Sequence, residues 1–325
     1  MNITLPQLAE TLRHNLGLLH KRDIQLASRH FQRQFTTQGQ AIRLGDDCAA
    51  IPDQAGFLLL AAEGMSPALV QQDPWFAGWC GVLVNVSDIY AMGGRPLAVV
   101  DALWACGDQQ AQQIWAGMQA AAEKFQVPIV GGHTNTHSEY DALGVAILGR
   151  AKRLITSFDA QVGDRLVLVA NFQGQPRPQL PYCWDAATQA DPAQLQAQWD
   201  LLPLLAERGL CSAGKDVSMG GIIGTTLMLL ETSNCGAILD IGAVPCPPQL
   251  DLQQWLLSFP SYGFLLTVSP EQVSEVEMLC EDQGLVAQAI ATITPGHTLT
   301  LKLGETSLDF WHLDHVPLTG FTGGS

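Results

Sequence analysis

The chain has 325 residues, 47% of them hydrophobic and 14% charged, with a formal net charge of −15. That length supports two domains with separate cores, and the composition is that of a folded protein, not of a disordered one. So acidic a surface argues against nucleic acid and anionic lipid as partners, but it admits an anionic small molecule held through a divalent metal and backbone N–H groups.

The eight cysteines form no CxxC pair and sit in apolar stretches, so they read as reduced core thiols of a cytoplasmic protein. The N-terminal stretch lacks an apolar signal core. No apolar run approaches the roughly 20 residues of a membrane span, so neither export nor a membrane partner is expected.

In chain order, residues 4–34 carry apolar positions at helical spacing and predict one or two surface helices. A strand is expected over 56–62. A helix then runs from Asp73-Pro74, a capping pair, to about Met92, where Gly93-Gly94-Arg95-Pro96 stops it. A strand over 97–104, a helix over 109–125, a strand over 127–130 ending at Gly131-Gly132 and a strand over 142–149 complete the first half.

The second half repeats the theme, with strands over 164–170, 237–240, 263–268 and 285–293 and helices over 192–208, 221–232 and 270–283. Residues 171–191, rich in proline and glutamine, are expected to form a loop or insertion. The tail from Asp309 to Ser325 shows no strong pattern and is expected to be partly disordered beyond Trp311. The order β-α-β-α-β-β implies helices packed on a sheet, and the boundary between halves falls near 150–158.

Four segments place small, acidic and glycine residues where strands and helices should end. In Gly45-Asp46-Asp47-Cys48, adjacent carboxylates repel unless a cation offsets them, and oxygen-rich sites suit magnesium; Gly-Asp-Asp is equally good turn chemistry. In Asn85-Val86-Ser87-Asp88, Asn85 and Asp88 share a helix face in apolar surroundings, where polar groups need partners.

Gly131-Gly132-His133-Thr134 follows a strand. Its glycines let backbone approach a phosphate, although no P-loop lysine follows, and His133 with His137 matches a zinc spacing without a helix to carry it. Asp216 precedes a glycine-started helix at Gly220-Gly221, where it serves either a metal-bound anion or simple capping. Glu63, after the strand 57–62, is a fifth acidic candidate.

Taken together, GDDCAAI, NVSDIYAMGGRP, VGGHT and KDVSMGGIIGT, in this order over residues 40–295, resemble the aminoimidazole ribonucleotide (AIR) synthetase superfamily, which includes selenophosphate synthetase and thiamine-monophosphate kinase. The resemblance implies a two-domain α/β (α+β) fold. An N-terminal domain over 1–153, with a helical extension over 1–38, would dimerise by pooling its sheet with a second copy, and an α+β domain would follow over 154–325. It implies ATP with Mg2+ in a cleft near the dimer interface and phosphoryl transfer to a small-molecule acceptor.

On this resemblance the metal-binding carboxylates are Asp46 or Asp47, Asp88 and Asp216, with Glu63 where several members place an aspartate. Asp88 and Asp216 carry the catalytic roles. Asn85, Gly131, Gly132, His133 and Thr134 match nucleotide-contact positions. His133 matches selenophosphate synthetase, and Met219 stands where thiamine-monophosphate kinase has an aspartate. The alternative expectation is a non-catalytic nucleotide-binding subunit of a biosynthetic complex; a metal-dependent hydrolase without nucleotide ranks third. The acceptor is expected to be read by the C-terminal domain and the 171–191 loop.

Overall fold

The computed structural model describes residues 4–31, 35–37 and 39–322. Residues 32–34, which include Arg33 and end the predicted N-terminal helical stretch, lie outside the described residues, as do Gln38 and the last three residues of the tail.

The N-terminal stretch forms three short helices: α1 (Leu5–Arg13), α2 (Leu16–His20) and α3 (Ile24–His30). A hairpin of β1 (Phe35–Thr37) and β2 (Gln40–Ile42) follows. Next come β3 (Ala49–Asp53), β4 (Gly56–Gly64), α4 (Pro67–Gln72), α5 (Pro74–Ala91), β5 (Arg95–Trp104), α6 (Asp108–Lys124), β6 (Ile129–Asn135) and β7 (Ala142–Ala151). These strands make a five-stranded sheet in the order β3-β4-β7-β5-β6, with only β5 and β6 parallel. Pro52 is tolerated in β3 because that strand is an edge.

Helix α5 is built as its sequence predicts. The Asp73 side chain accepts from the Phe76 amide at 3.0 Å, and Gly93, at φ +72°, closes the C-terminus with its N–H on Tyr90 O at 2.8 Å. Helix α6 crosses it in very close contact: a Cβ on Gly117 would stand 1.8 Å from Trp75 O, so only glycine permits the approach. Nearly all of α5 is buried, because it is covered by the sheet, by α6 and by the second half of the chain.

The second half contains β8 (Arg165–Ala170), a small hairpin of β9 (Gln175–Pro176) and β10 (Trp184–Asp185), α7 (Pro192–Arg208), β11 (Ala213–Asp216), α8 (Gly221–Ser233) and β12 (Gly236–Asp240). It continues with α9 (Leu252–Leu256), β13 (Gly263–Val268), α10 (Val273–Glu281), β14 (Val286–Thr294), β15 (Thr298–Leu303) and β16 (Thr306–His312). Seven strands pair in the order β11-β13-β8-β14-β12-β15-β16. The 171–191 segment is a loop around the β9–β10 hairpin, tied to α5 by Arg177, which reaches Asp73 at 2.7 Å and Asp185 at 3.3 Å.

Two expectations are corrected. The strand through Val130 does not end at the glycine pair; β6 continues through Gly131 and Gly132 to Asn135, because each of those residues pairs with β5. The chain beyond Trp311 is ordered as far as Thr322. Leu318 is fully buried, and the amides of Leu318, Thr319 and Gly320 and the Thr319 hydroxyl all donate to the buried Glu231 carboxylate. Periodicity could not show this strap, since its order comes from one distant carboxylate.

The N-terminal helices pack far from their neighbours in sequence. Leu5, Leu8, Leu12 and Leu18 sit in the core of the seven-stranded sheet, α1 lies on β15 and β16, and α2 lies on α8. This placement carries the residues after α2 to the junction between the two halves.

Candidate active site

At that junction the chain gathers carboxylates from separate elements. Asp46 and Asp47 lie in the loop before β3, Asp88 is on α5, and Asp216 ends β11. One carboxylate oxygen each from Asp47, Asp88 and Asp216 lies within 4.8 Å of the others. Ser87 Oγ donates to Asp216 Oδ2 at 2.9 Å and Ser261 Oγ to the same oxygen at 3.3 Å. Asp216 therefore does not cap α8, whose N-terminus has no side-chain cap. Asp46 accepts from the Asp47 and Ser157 amides, both at 3.0 Å.

Two lysines join the carboxylates. Lys215, on β11 and buried, places Nζ 2.5 Å from Asp47 Oδ1 and 3.9 Å from Asp46 Oδ1. Lys21, delivered by the N-terminal helices, donates to Ser218 Oγ at 3.2 Å. Lys215 stood inside the quoted KDVSMGG segment, but nothing in its neighbours marks it. Lys21 has no local signal at all, because its position depends on how α2 docks against α8.

Burial governs the proton affinities. Asp216 is pushed up to about 7 by burial and then by the Asp47 charge, against the Ser87 hydrogen bond and Lys215. Asp46 is raised to about 6 by burial, partly offset by Lys215. Asp88 is raised well above the carboxylate range by burial and by Asp216, Asp47 and Glu63 around it.

Glu63 is also raised by the protein packed around it, yet it is exposed as a residue, so solvent screening makes its part the smallest. Burial lowers Lys21, opposed by Asp216 and Glu63. Burial would also lower Lys215, but Asp47 and Asp46 outweigh it and hold the ammonium charged.

Asp88 Oδ2 is buried without a hydrogen-bond partner among the described residues. An orphaned carboxylate oxygen facing two other carboxylates is costly, and a hard divalent cation supplies the missing partner. The residues present therefore fit a magnesium ion, which Asp47, Asp88 and Asp216 would hold.

Asn85 lies one turn before Asp88 on α5 and is fully buried; its Nδ2 donates to Gly81 O at 2.8 Å and Val145 O at 3.1 Å, and its Oδ1 has no hydrogen-bond partner among the described residues. Gly131, Gly132, His133 and Thr134 lie on the exposed edge strand β6. Gly132 stands in the same cross-sheet row as Glu63, through Asp101 and Val145. Three strand spacings of about 4.8 Å put it roughly 14 Å from Glu63. His133 packs against Trp104, ring centroids 5.5 Å apart. Surface cavities of about 470 and 460 Å3 open beside Trp75 and Arg177 and beside Ile129; neither includes a residue of the acidic cluster, so charge rather than volume locates the site.

The family model for the N-terminal domain of AIR synthase related proteins matches residues 45–151, and that for the C-terminal domain matches residues 161–304. The chain thus belongs to the AIR synthase-related family. It is 72% identical to an uncharacterized protein of Synechocystis sp. over 321 residues, 99% of this chain and 100% of that one. It is 28% identical to the thiamine-monophosphate kinase of Synechococcus elongatus over 289 residues, 80% of this chain and 86% of the kinase.

Among solved structures, T. maritima PurL complexed with ATP superposes with a TM-score of 0.74 at 18% identity, covering 99% of this chain and 55% of that one. AaThiL complexed with AMPPCP and TMP gives 0.66 at 19%, covering 89% and 96%. These likenesses establish the shared two-domain fold.

Proposed function

We propose that the protein binds ATP with Mg2+ at the acidic cluster and transfers a phosphoryl group to a small-molecule acceptor. The observation that carries this reading is the buried, unpartnered Asp88 Oδ2 beside Asp47 and Asp216. Its relatives' complexes with ATP and AMPPCP support the choice of nucleotide.

Asp47, Asp88 and Asp216 would hold the metal, with Asp46 and Glu63 beside them. When bound, magnesium would neutralise phosphate charge, which is most of what phosphoryl transfer requires. The chain's own residues pre-organise the site: Ser87 and Ser261 fix Asp216, Ser157 and the Asp47 amide fix Asp46, and Lys21 stands at the rim within reach of a phosphate or acceptor.

The Gly131–Thr134 edge, roughly 14 Å from Glu63 within one chain, would meet the nucleotide where a second copy joins. The outer face of the five-stranded sheet supports that dimer, since Leu60, Leu97, Val100 and Leu148 are exposed on its strands. The eight free cysteines fit a reducing cytoplasm, and no helix among the described residues is long and apolar enough to cross a membrane.

Titration calorimetry with AMPPCP, with and without Mg2+, tests the reading. Magnesium-dependent binding that Asp88→Asn abolishes is expected, followed by phosphoryl transfer in an acceptor screen. Magnesium-independent binding, or none, would overturn it. Met219, in the segment that ends at α8, favours a second reading as a nucleotide-binding subunit; binding without transfer to any acceptor would select it.

A further inference from the structure

Within the proposed nucleotide-metal site, the carboxylates divide into two unlike groups. Both oxygens of Asp46 accept backbone amides, and Asp47 Oδ1 is taken by the Lys215 ammonium. Asp47 Oδ2 accepts the Asp216 amide at 3.4 Å, a long contact. Asp216 Oδ2 is taken by two serine hydroxyls, and Asp88 Oδ2 is taken by nothing. Unmet demand for a cation is therefore concentrated at Asp88 and the facing oxygens of Asp47 and Asp216.

Lys215 is not a mobile surface lysine that has folded inward. Its backbone pairs with Leu265 inside the seven-stranded sheet, and its side chain is 5% exposed, so the ammonium has no route to solvent along its stem. Lys21 differs, being half-buried and bonded to a hydroxyl rather than a carboxylate.

We infer that Lys215 is a built-in cation that neutralises the Asp46–Asp47 side, so that the nucleotide-free site takes a single divalent cation, at Asp47, Asp88 and Asp216. The geometry supports this: the Lys215 ammonium already sits 2.5 Å from Asp47 Oδ1 and 3.9 Å from Asp46 Oδ1, where a second divalent ion would have to stand, and two cations so close together repel.

This inference rests on the reading of the cluster as a metal site, and its test separates the two. Manganese alone is titrated into the nucleotide-free protein, and free Mn2+ is counted by electron paramagnetic resonance. Wild type is expected to hold one ion per chain, Lys215→Arg one, and Lys215→Met two, as the freed Asp46–Asp47 side recruits a second.

Two ions in wild type, or one in a Lys215→Met variant with wild-type circular dichroism, would overturn the role of Lys215 while leaving the metal site standing. If Lys215→Met does not fold, the wild-type and Lys215→Arg counts decide: one ion in each supports the role and two in either overturns it. No bound manganese in wild type would overturn the metal site and the inference together.

Discussion

The Ser87 hydroxyl donates to Asp216 Oδ2 at 2.9 Å, joining two residues 129 positions apart and so tying α5 of the first half to β11 of the second. A hydrogen bond to a charged group contributes about 1.5–3 kcal/mol, and more is lost when its removal leaves a buried acceptor short of partners. Ser87→Ala should therefore lower unfolding stability by about 2 kcal/mol in urea titration. Because this bond holds the Asp216 carboxyl down, its loss should also move the pH midpoint of manganese binding upward. An unchanged midpoint would mean that Ser87 only fills space.

The pH dependence of the metal-free protein follows from Asp46 and Asp216. Their folded values, about 6 and about 7, lie above the ordinary 3.8, so between these limits the folded chain holds protons that the unfolded chain has released. Stability contributed by such groups is present at low pH and lost as pH rises through the folded values. Melting temperature in EDTA should fall between pH 5 and pH 8, and a divalent cation should reverse the fall at pH 8 by replacing the protons. Lys215, held charged by Asp47 and Asp46, does not titrate in that window. A melting temperature that rises across the window without metal would contradict the buried, like-charged cluster.

The helices and most strands were legible because their signals are local. Asp73-Pro74 and Gly93 mark the ends of α5, and β13 spans the predicted 263–268. The acidic residues of the cluster were legible as types in glycine-flanked segments, and the structure brings Asp47, Asp88 and Asp216 together. Lys21, Lys215 and Ser261 were not, because each acquires its role through long-range packing: α2 on α8, β11 on β13, and the turn before β13 on Asp216. Asn85 is anchored through Nδ2 to its own helix and sheet, a placement no local signal shows, while its Oδ1 is buried without a partner among the described residues. The Gly131-Gly132 pair continues a strand that was expected to end there, because glycine also fits a strand edge.

The C-terminal strap reaches the loop that carries Asp46 and Asp47. Phe321 packs on Gly45, where an added Cβ would meet Phe321 Cβ at 2.5 Å, and Gly45 sits at φ +102°. Both facts oppose Gly45→Ala, which should cost about 1–3 kcal/mol through backbone strain and overpacking and weaken manganese binding by displacing Asp46 and Asp47. Glu231→Ala should release the strap by removing the acceptor of four hydrogen bonds. The measurement is limited proteolysis, with cleavage within 313–322 expected in the variant and not in wild type. A strap that stays protected in Glu231→Ala would show that Leu318 packing alone retains it.

The outer face of the five-stranded sheet presents apolar residues in register. Leu60 pairs with Leu148, which pairs with Ala98, and the neighbouring row runs from Ala62 through Ala146 to Val100. Leu60, Val100 and Leu148 are 46%, 41% and 37% exposed and form a contiguous apolar patch on this face. If two copies join through this face, wild type should elute with light scattering at twice the chain mass. Val100→Arg combined with Leu148→Arg should give the single-chain mass, because two buried guanidinium groups per protomer would lack partners. Since neither residue touches the acidic cluster, manganese binding should persist in the double variant, whereas AMPPCP binding should weaken if the Gly131–Thr134 edge of one copy completes the nucleotide site of the other. A dimer that survives both arginines would move the interface off this sheet and return the glycine strand to a purely structural role.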